Sequence, residues 1–97
     1  ALVERGSDVL AADALYNQGA ICLNQNNNAC AEKNFLAAVA AKADYSAAHF
    51  QLGMLYMNSN KCARAAPHFE AFLKKPDSEV GDLATVKALL DFCKGQK

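Results

Sequence analysis

Proline occurs only at positions 67 and 76, and β-branched residues are few, so the chain lacks both the usual helix breakers and the usual strand formers. Alanine fills much of the space they leave, which favours helices and lets them pack closely. Almost no strand is expected. An excess of charge is missing as well. Lys and Arg together number 10, as do Asp and Glu, so no global field draws in nucleic acid, an anionic membrane surface or an acidic substrate. The apolar stretches are interrupted every few residues by Asn, Gln, Lys or Asp. None approaches the roughly 20 residues of a membrane span, so no membrane insertion is expected. No basic segment leads into an apolar one at the start, but a processed chain would have lost such a leader, and export stays open.

Signatures of catalysis are absent too. No G-x-G-x-x-G, P-loop, H-E-x-x-H or G-x-S-x-G occurs, and the glycines are scattered, so neither a phosphate cradle nor a nucleophile elbow is visible. His49 and His68 have no Ser, Cys or carboxylate at a spacing that suggests a proton relay, and they read as core or surface histidines. Lys74 and Lys75, the only adjacent basic pair, sit where a helix is expected to end and suit its dipole. The expectation is a protein that is not an enzyme and carries no cofactor. At 97 residues the chain has the size of one domain with a modest core.

The positive feature is an internal repeat. Gly19 recurs as Gly53, Ala31 as Ala65 and Phe35 as Phe69, all at a shift of 34 residues. The neighbours agree in type: Ala14 to Gly19 lies over Ala48 to Gly53, and Asn24-Gln25-Asn26 over Asn58-Ser59-Asn60. Each unit reads as two helices around an Asn-rich turn. Leu15, Gly19 and Cys22 recur at helical spacing before the first turn and Ala31, Phe35 and Ala38 after it. Leu52, Gly53 and Tyr56, then Ala65, Phe69 and Phe72, do so in the second unit. A small residue at Gly19 or Gly53 lets the partner helix approach, and the large ring at Phe35 or Phe69 fills the space opened elsewhere in the seam, which gives the spacing a physical reason. Asp8 is the expected cap of the first helix, Asn28 and Asn60 cap the second helix of each unit, and Asp44 or Ser46 starts the third. Pro67 falls inside a helix, beyond its first turn. After Pro76, Val80, Leu83, Val86, Leu89, Leu90 and Phe92 predict a fifth helix over Ser78 to Cys93, with Glu79 and Asp82 in its first turn and Gly95 just beyond.

The pattern L-x3-G-x2-[aromatic]-x8-A-x3-F-x2-A resembles the tetratricopeptide repeat. The second unit matches better, with Leu52, Gly53, Tyr56, Ala65, Phe69 and Pro76, whereas the first has Cys22 for the aromatic and Ala43 for the proline. The resemblance implies an all-α superhelix of about five antiparallel helices without a sheet. Residues 1–11 would be a lead-in, 12–45 and 46–79 the two repeats, and 80–94 a helix that caps the stack. In that family the first helices line a concave groove that holds a peptide. Carried over by register, its walls here are Tyr16, Asn17, Ala20, Leu23 and Asn24, then Phe50, Gln51, Met54, Met57 and Asn58, with Asp13 beside them. Some members clamp acidic tails with Lys, Arg and Asn. The matching places hold Tyr16, Ala20, Gln51, Gly81 and Thr85, so that clamp is absent. The surface suits an extended or helical peptide with apolar side chains. The partner implied is therefore another protein or a peptide segment. The competing expectation is a structural or self-associating terminal module of a larger exported or envelope protein, with a homodimer as its partner.

Four cysteines remain: Cys22, Cys30, Cys62 and Cys93. Without a C-x2-C knuckle the signal for a metal is weak, and on five helices all four fall toward one end of the stack. Adjacent pairing is geometrically easier than one shared site. Cys22 would pair with Cys30 across the first turn and Cys62 with Cys93 onto the last helix, if their Cα atoms come within about 7 Å. The alternative is four free, buried thiols acting as small hydrophobes. Bridged cysteines place the protein in the periplasm or outside the cell, free ones in the cytoplasm.

Overall fold

The computed structural model describes residues 2–76 and 80–95, with side chains from residue 11 onward. Five helices run in order, α1 (Leu2–Asn24), α2 (Asn28–Ala41), α3 (Ser46–Asn58), α4 (Cys62–Lys74) and α5 (Leu83–Lys94), with no strand among the described residues. Each helix packs on the next in the chain, and the molecule is elongated, 44 × 29 × 22 Å. Connections of a few residues between long helices leave only antiparallel neighbours as a solution.

The glycines explain how closely the paired helices approach. A Cβ built on Gly19 would lie 2.6 Å from Cε1 of Phe35, and one on Gly53 would lie 2.5 Å from Cε1 of Phe69. Both rings are fully buried, as are Ala31, Ala38, Ala48 and Ala65, so small residues set the separation and large rings fill what it leaves. Phe72, Leu52 and Val86 complete the largest buried side chains, and each such group stabilises the fold by about 1.5–3 kcal/mol before entropy is charged against it.

The turns repeat bond for bond. Asn26 and Asn60 have left-handed backbones, φ 60° and 61°. The N–H of Asn27 donates to the Cys22 carbonyl at 2.8 Å and that of Asn26 to Leu23 at 2.9 Å. In the second unit Lys61 donates to Tyr56 at 2.7 Å and Asn60 to Met57 at 3.1 Å. This is the Schellman ending, in which a left-handed residue just past the helix lets two following amides satisfy the last carbonyls. Asparagine tolerates that conformation better than other residues with a side chain, which is why an Asn stands at both places.

Several boundaries differ from those expected. Asn60 closes α3 instead of capping α4, and the residue before α4 is Lys61, without a side-chain cap. The cap of α2 is Asn27, not Asn28: its side-chain oxygen accepts from the Cys30 amide at 3.1 Å. Tyr45, between the two expected residues, precedes α3. Asp8 lies within α1, which runs unbroken through most of the expected lead-in. The fifth helix begins at Leu83 instead of Ser78, with Asp82 at its N-cap in extended conformation. Residues 78 and 79 of that expectation lie outside the described ones. Just before that start, Gly81 lies close against the Phe50 ring, where a Cβ would sit 2.9 Å from it. Pro67 does lie inside α4.

All four cysteines pair, Cys22 with Cys30 and Cys62 with Cys93, at disulfide distance, with Cα separations of 5.7 and 4.8 Å. The first pair closes the α1–α2 turn and the second ties the start of α4 to the end of α5. No helix among the described residues is long and apolar enough to cross a membrane.

Candidate functional site

The residues expected to line a groove come from α1 and α3, at places related by the same shift of 34: Tyr16 and Phe50, Asn17 and Gln51, Ala20 and Met54, Leu23 and Met57, Asn24 and Asn58. Asn17, Asn24 and Asn58 are exposed, and Ala20, Leu23, Gln51, Met54 and Met57 are half-buried. The two aromatics are engaged elsewhere. Tyr16 is half-buried, tilted against Phe35 with centroids 5.4 Å apart and stacked on Tyr45 at the same distance. Phe50 packs on Phe72 at 5.7 Å and lies under Gly81. Asn17, Asn24 and Asn58 are therefore the most accessible of these residues, and the two rings, half-buried like Gln51, Met54 and Met57, are packed on neighbouring aromatics.

One rim of this surface is a cleft of about 420 Å³ where the α2–α3 connection meets the end of α4, lined by Asp13, Lys42, Asp44, Tyr45, Ser46 and Lys75 among others. Its charges neutralise each other. Lys75 bonds Asp44 at 2.5 Å, and that bond holds the Asp44 carboxyl below the usual carboxylate range. The Tyr45 hydroxyl donates to Asp13 at 2.6 Å, and burial, then that bond, pushes the phenol above its usual value. Lys42 sits 5.5 Å from the centre of the Tyr45 ring, a cation–π contact. The Ser46 hydroxyl donates to the Lys75 carbonyl, fastening the start of α3 to the end of α4.

No protein-family model matches the chain, and neither curated proteins nor solved structures yield a match. What the surface can do has to be argued from its side chains.

The two histidines, which the sequence left apart, meet in the structure. His49 on α3 is buried, 8 % exposed, and its Nδ1 lies 3.0 Å from Nδ1 of His68 on α4. Its Nε2 lies 2.7 Å from the carbonyl oxygen of Ala43 in the α2–α3 connection. A carbonyl only accepts, so His49 Nε2 carries a hydrogen. In the neutral ring Nδ1 is then a bare acceptor, and His68 Nδ1 must donate to it. Tyr56 stacks on His68 with centroids 5.6 Å apart and donates its hydroxyl to Glu32 on α2 at 2.7 Å. Burial, then that bond, pushes the Tyr56 phenol up to about 12. A spacing of 19 residues offers no sequence signal for a histidine pair. Only the antiparallel α3–α4 packing brings the rings together.

Proposed function

We propose that the chain is a binding scaffold of the tetratricopeptide kind, which holds another polypeptide along the accessible face of α1 and α3. One observation carries the reading: the accessible polar groups on that face recur with the repeat, Asn17 with Gln51 and Asn24 with Asn58. An amide side chain both donates and accepts, so a ladder of amides at repeat spacing can pair with the backbone of an extended peptide. Leu23, Met54 and Met57 lie between these rungs and offer adaptable apolar contact, the thioethers most of all. The face carries no cluster of like charge, so affinity should depend little on salt. The role is non-enzymatic and needs no cofactor.

A peptide display selection followed by titration tests this. Met54→Glu should lower the affinity of a selected peptide by roughly tenfold or more while leaving the helical circular dichroism unchanged. Equal binding by this variant and the parent would refute the reading. Phe50→Ala is the poorer probe, because Phe50 supports Phe72 and its loss would disturb the fold.

The second reading, a self-associating module, draws on α5. Leu83 and Phe92 are large apolar side chains left 44 % and 57 % exposed there, as Ile21 is at 54 % on α1. A dimer in light scattering that Phe92→Ser abolishes would favour it. The paired cysteines point to an oxidising compartment, the periplasm or the cell exterior, for either reading. Alkylation of the unreduced protein tests that, and four labelled thiols would count against it.

A further inference from the structure

The histidine pair has a property that follows from its atoms alone. In the neutral pair one hydrogen lies between the two facing Nδ1 atoms. One added proton leaves that arrangement intact, because the ring that gains it still donates to a bare nitrogen on the other. A second added proton does not. Both Nδ1 atoms would then carry hydrogen, two N–H groups would face each other at 3.0 Å, and two cations would share a site closed on one side by a ring 8 % exposed. We propose that His49, His68 and the Ala43 carbonyl form a proton-operated latch that ties α3 to α4 and to the α2–α3 connection, closed while the pair holds at most one added proton and opened by the second.

Among the described residues, the charged and titratable groups on the neighbouring elements are engaged elsewhere. On α2, Glu32 accepts from Tyr56; on α3, Tyr56 turns its ring face to His68. On α4, Arg64 acts on the Tyr56 hydroxyl. In the α2–α3 connection, Lys42 lies over Tyr45, and Asp44 is held by Lys75 from beyond α4. Consistent with this, burial and then the charge of His49 push His68 down to about 4.

The latch reaches beyond its own pair. Ala43, which His49 holds, is followed by Asp44 and then Tyr45, the residue that precedes α3, accepts the His49 amide at 3.1 Å, stacks on Tyr16 and bonds Asp13. A continuous path therefore runs from α4 through both imidazoles and the connection to α1. Opening the latch removes the Ala43 bond and leaves the connection held by the Tyr45–His49 backbone bond and the Lys75 contacts, which loosens the support under Tyr16. This needs no ligand and stands whether or not the chain binds a peptide.

Imidazole ¹⁵N correlation spectra of the uniformly labelled protein test the idea directly. Near neutral pH they should show His49 as the Nε2–H tautomer and His68 as the Nδ1–H tautomer. Between about pH 6.5 and about pH 3.8, exchange of the His49 amide, corrected for its intrinsic pH dependence, should accelerate roughly tenfold. In His68→Phe, which keeps a ring against Tyr56 but removes the facing nitrogen, the same change of pH should alter that exchange by less than about twofold. Two rings that titrate independently at ordinary histidine values, or a variant as pH-sensitive as the parent, would overturn the proposal. The tautomer measurement uses the unmodified protein, so it decides the question even if the variant fails to fold.

Discussion

Where the first helix of each unit turns into the second, the first unit sets Cys22 beside Cys30 at disulfide distance, and the second holds Tyr56 and Arg64 at the same two places. Farther from that turn, Leu15 and Asn34 of the first unit stand where the second has His49 and His68. Asn34 donates its side-chain amide to the Cys30 carbonyl at 3.0 Å, whereas His68 meets His49. Helix ends, turn bonds and the glycine–phenylalanine contact are shared. What differs is how the shared frame is locked: by a covalent pair in one unit, by a titratable polar network in the other. A backbone can therefore be repeated while its response to solution conditions is not.

The sharpest way to break the comparison is to strike what the units share. Phe35→Ala and Phe69→Ala should each destabilise the protein by about 3–5 kcal/mol in urea titrations, because each ring is fully buried against a glycine that cannot fill the gap. A large inequality between the two would mean that the units are not equivalent in packing.

The covalent pairs come next. Chain-entropy arguments give about 3.7 kcal/mol for the Cys62–Cys93 link, sequence separation 31, and about 2.5 kcal/mol for Cys22–Cys30, separation 8. Replacing each pair by alanines and measuring Cm should reproduce that order. The reverse order would show that the short link does more than close its turn.

Acid should act on the second unit. His68 is held below its ordinary value, at about 4, so its contribution is present above about pH 6.5 and is lost as pH falls toward about 4. The loss should amount to about 2 kcal/mol, discounted because His68 keeps part of its surface in solvent. A stability profile for His68→Phe that falls as steeply as the parent's over this window would contradict the assignment.

The smallest effect belongs to the turns. Asn26→Gly and Asn60→Gly should each change stability by less than about 1 kcal/mol and by equal amounts, since both relieve the same left-handed strain. Unequal shifts in thermal midpoint would show that one turn carries strain the other lacks.

Much of this frame was legible before the structure. Gly19, Phe35 and their counterparts gave the period and four helices, the apolar pattern after Pro76 gave the fifth, and placing the cysteines on those helices singled out Cys22 with Cys30 and Cys62 with Cys93 as the feasible pairs while leaving four free thiols as the alternative. The caps were harder. An asparagine before a helix and an asparagine closing the previous one look alike in sequence, and only the backbone angle distinguishes Asn60 from a cap. The approach of Gly81 to Phe50 just before α5 joins residues far apart in the chain. The histidine pair was illegible for the same reason, and because the first unit has no histidines at those places to reveal a pattern. The candidate face was read from register. Asn17, Asn24 and Asn58 emerged exposed, whereas Gln51, Tyr16 and Phe50 are half-buried, the two rings packed on neighbouring aromatics in contacts that register alone does not show.

The most direct test of the scaffold is chemical-shift mapping on the ¹⁵N-labelled chain with a display-selected peptide. Perturbations are expected to gather at Asn17, Asn24, Gln51, Met54 and Asn58, with an affinity that changes by less than about threefold between low and high salt. Perturbations centred instead on Leu83 and Phe92 of α5, or an affinity that collapses as salt rises, would contradict it.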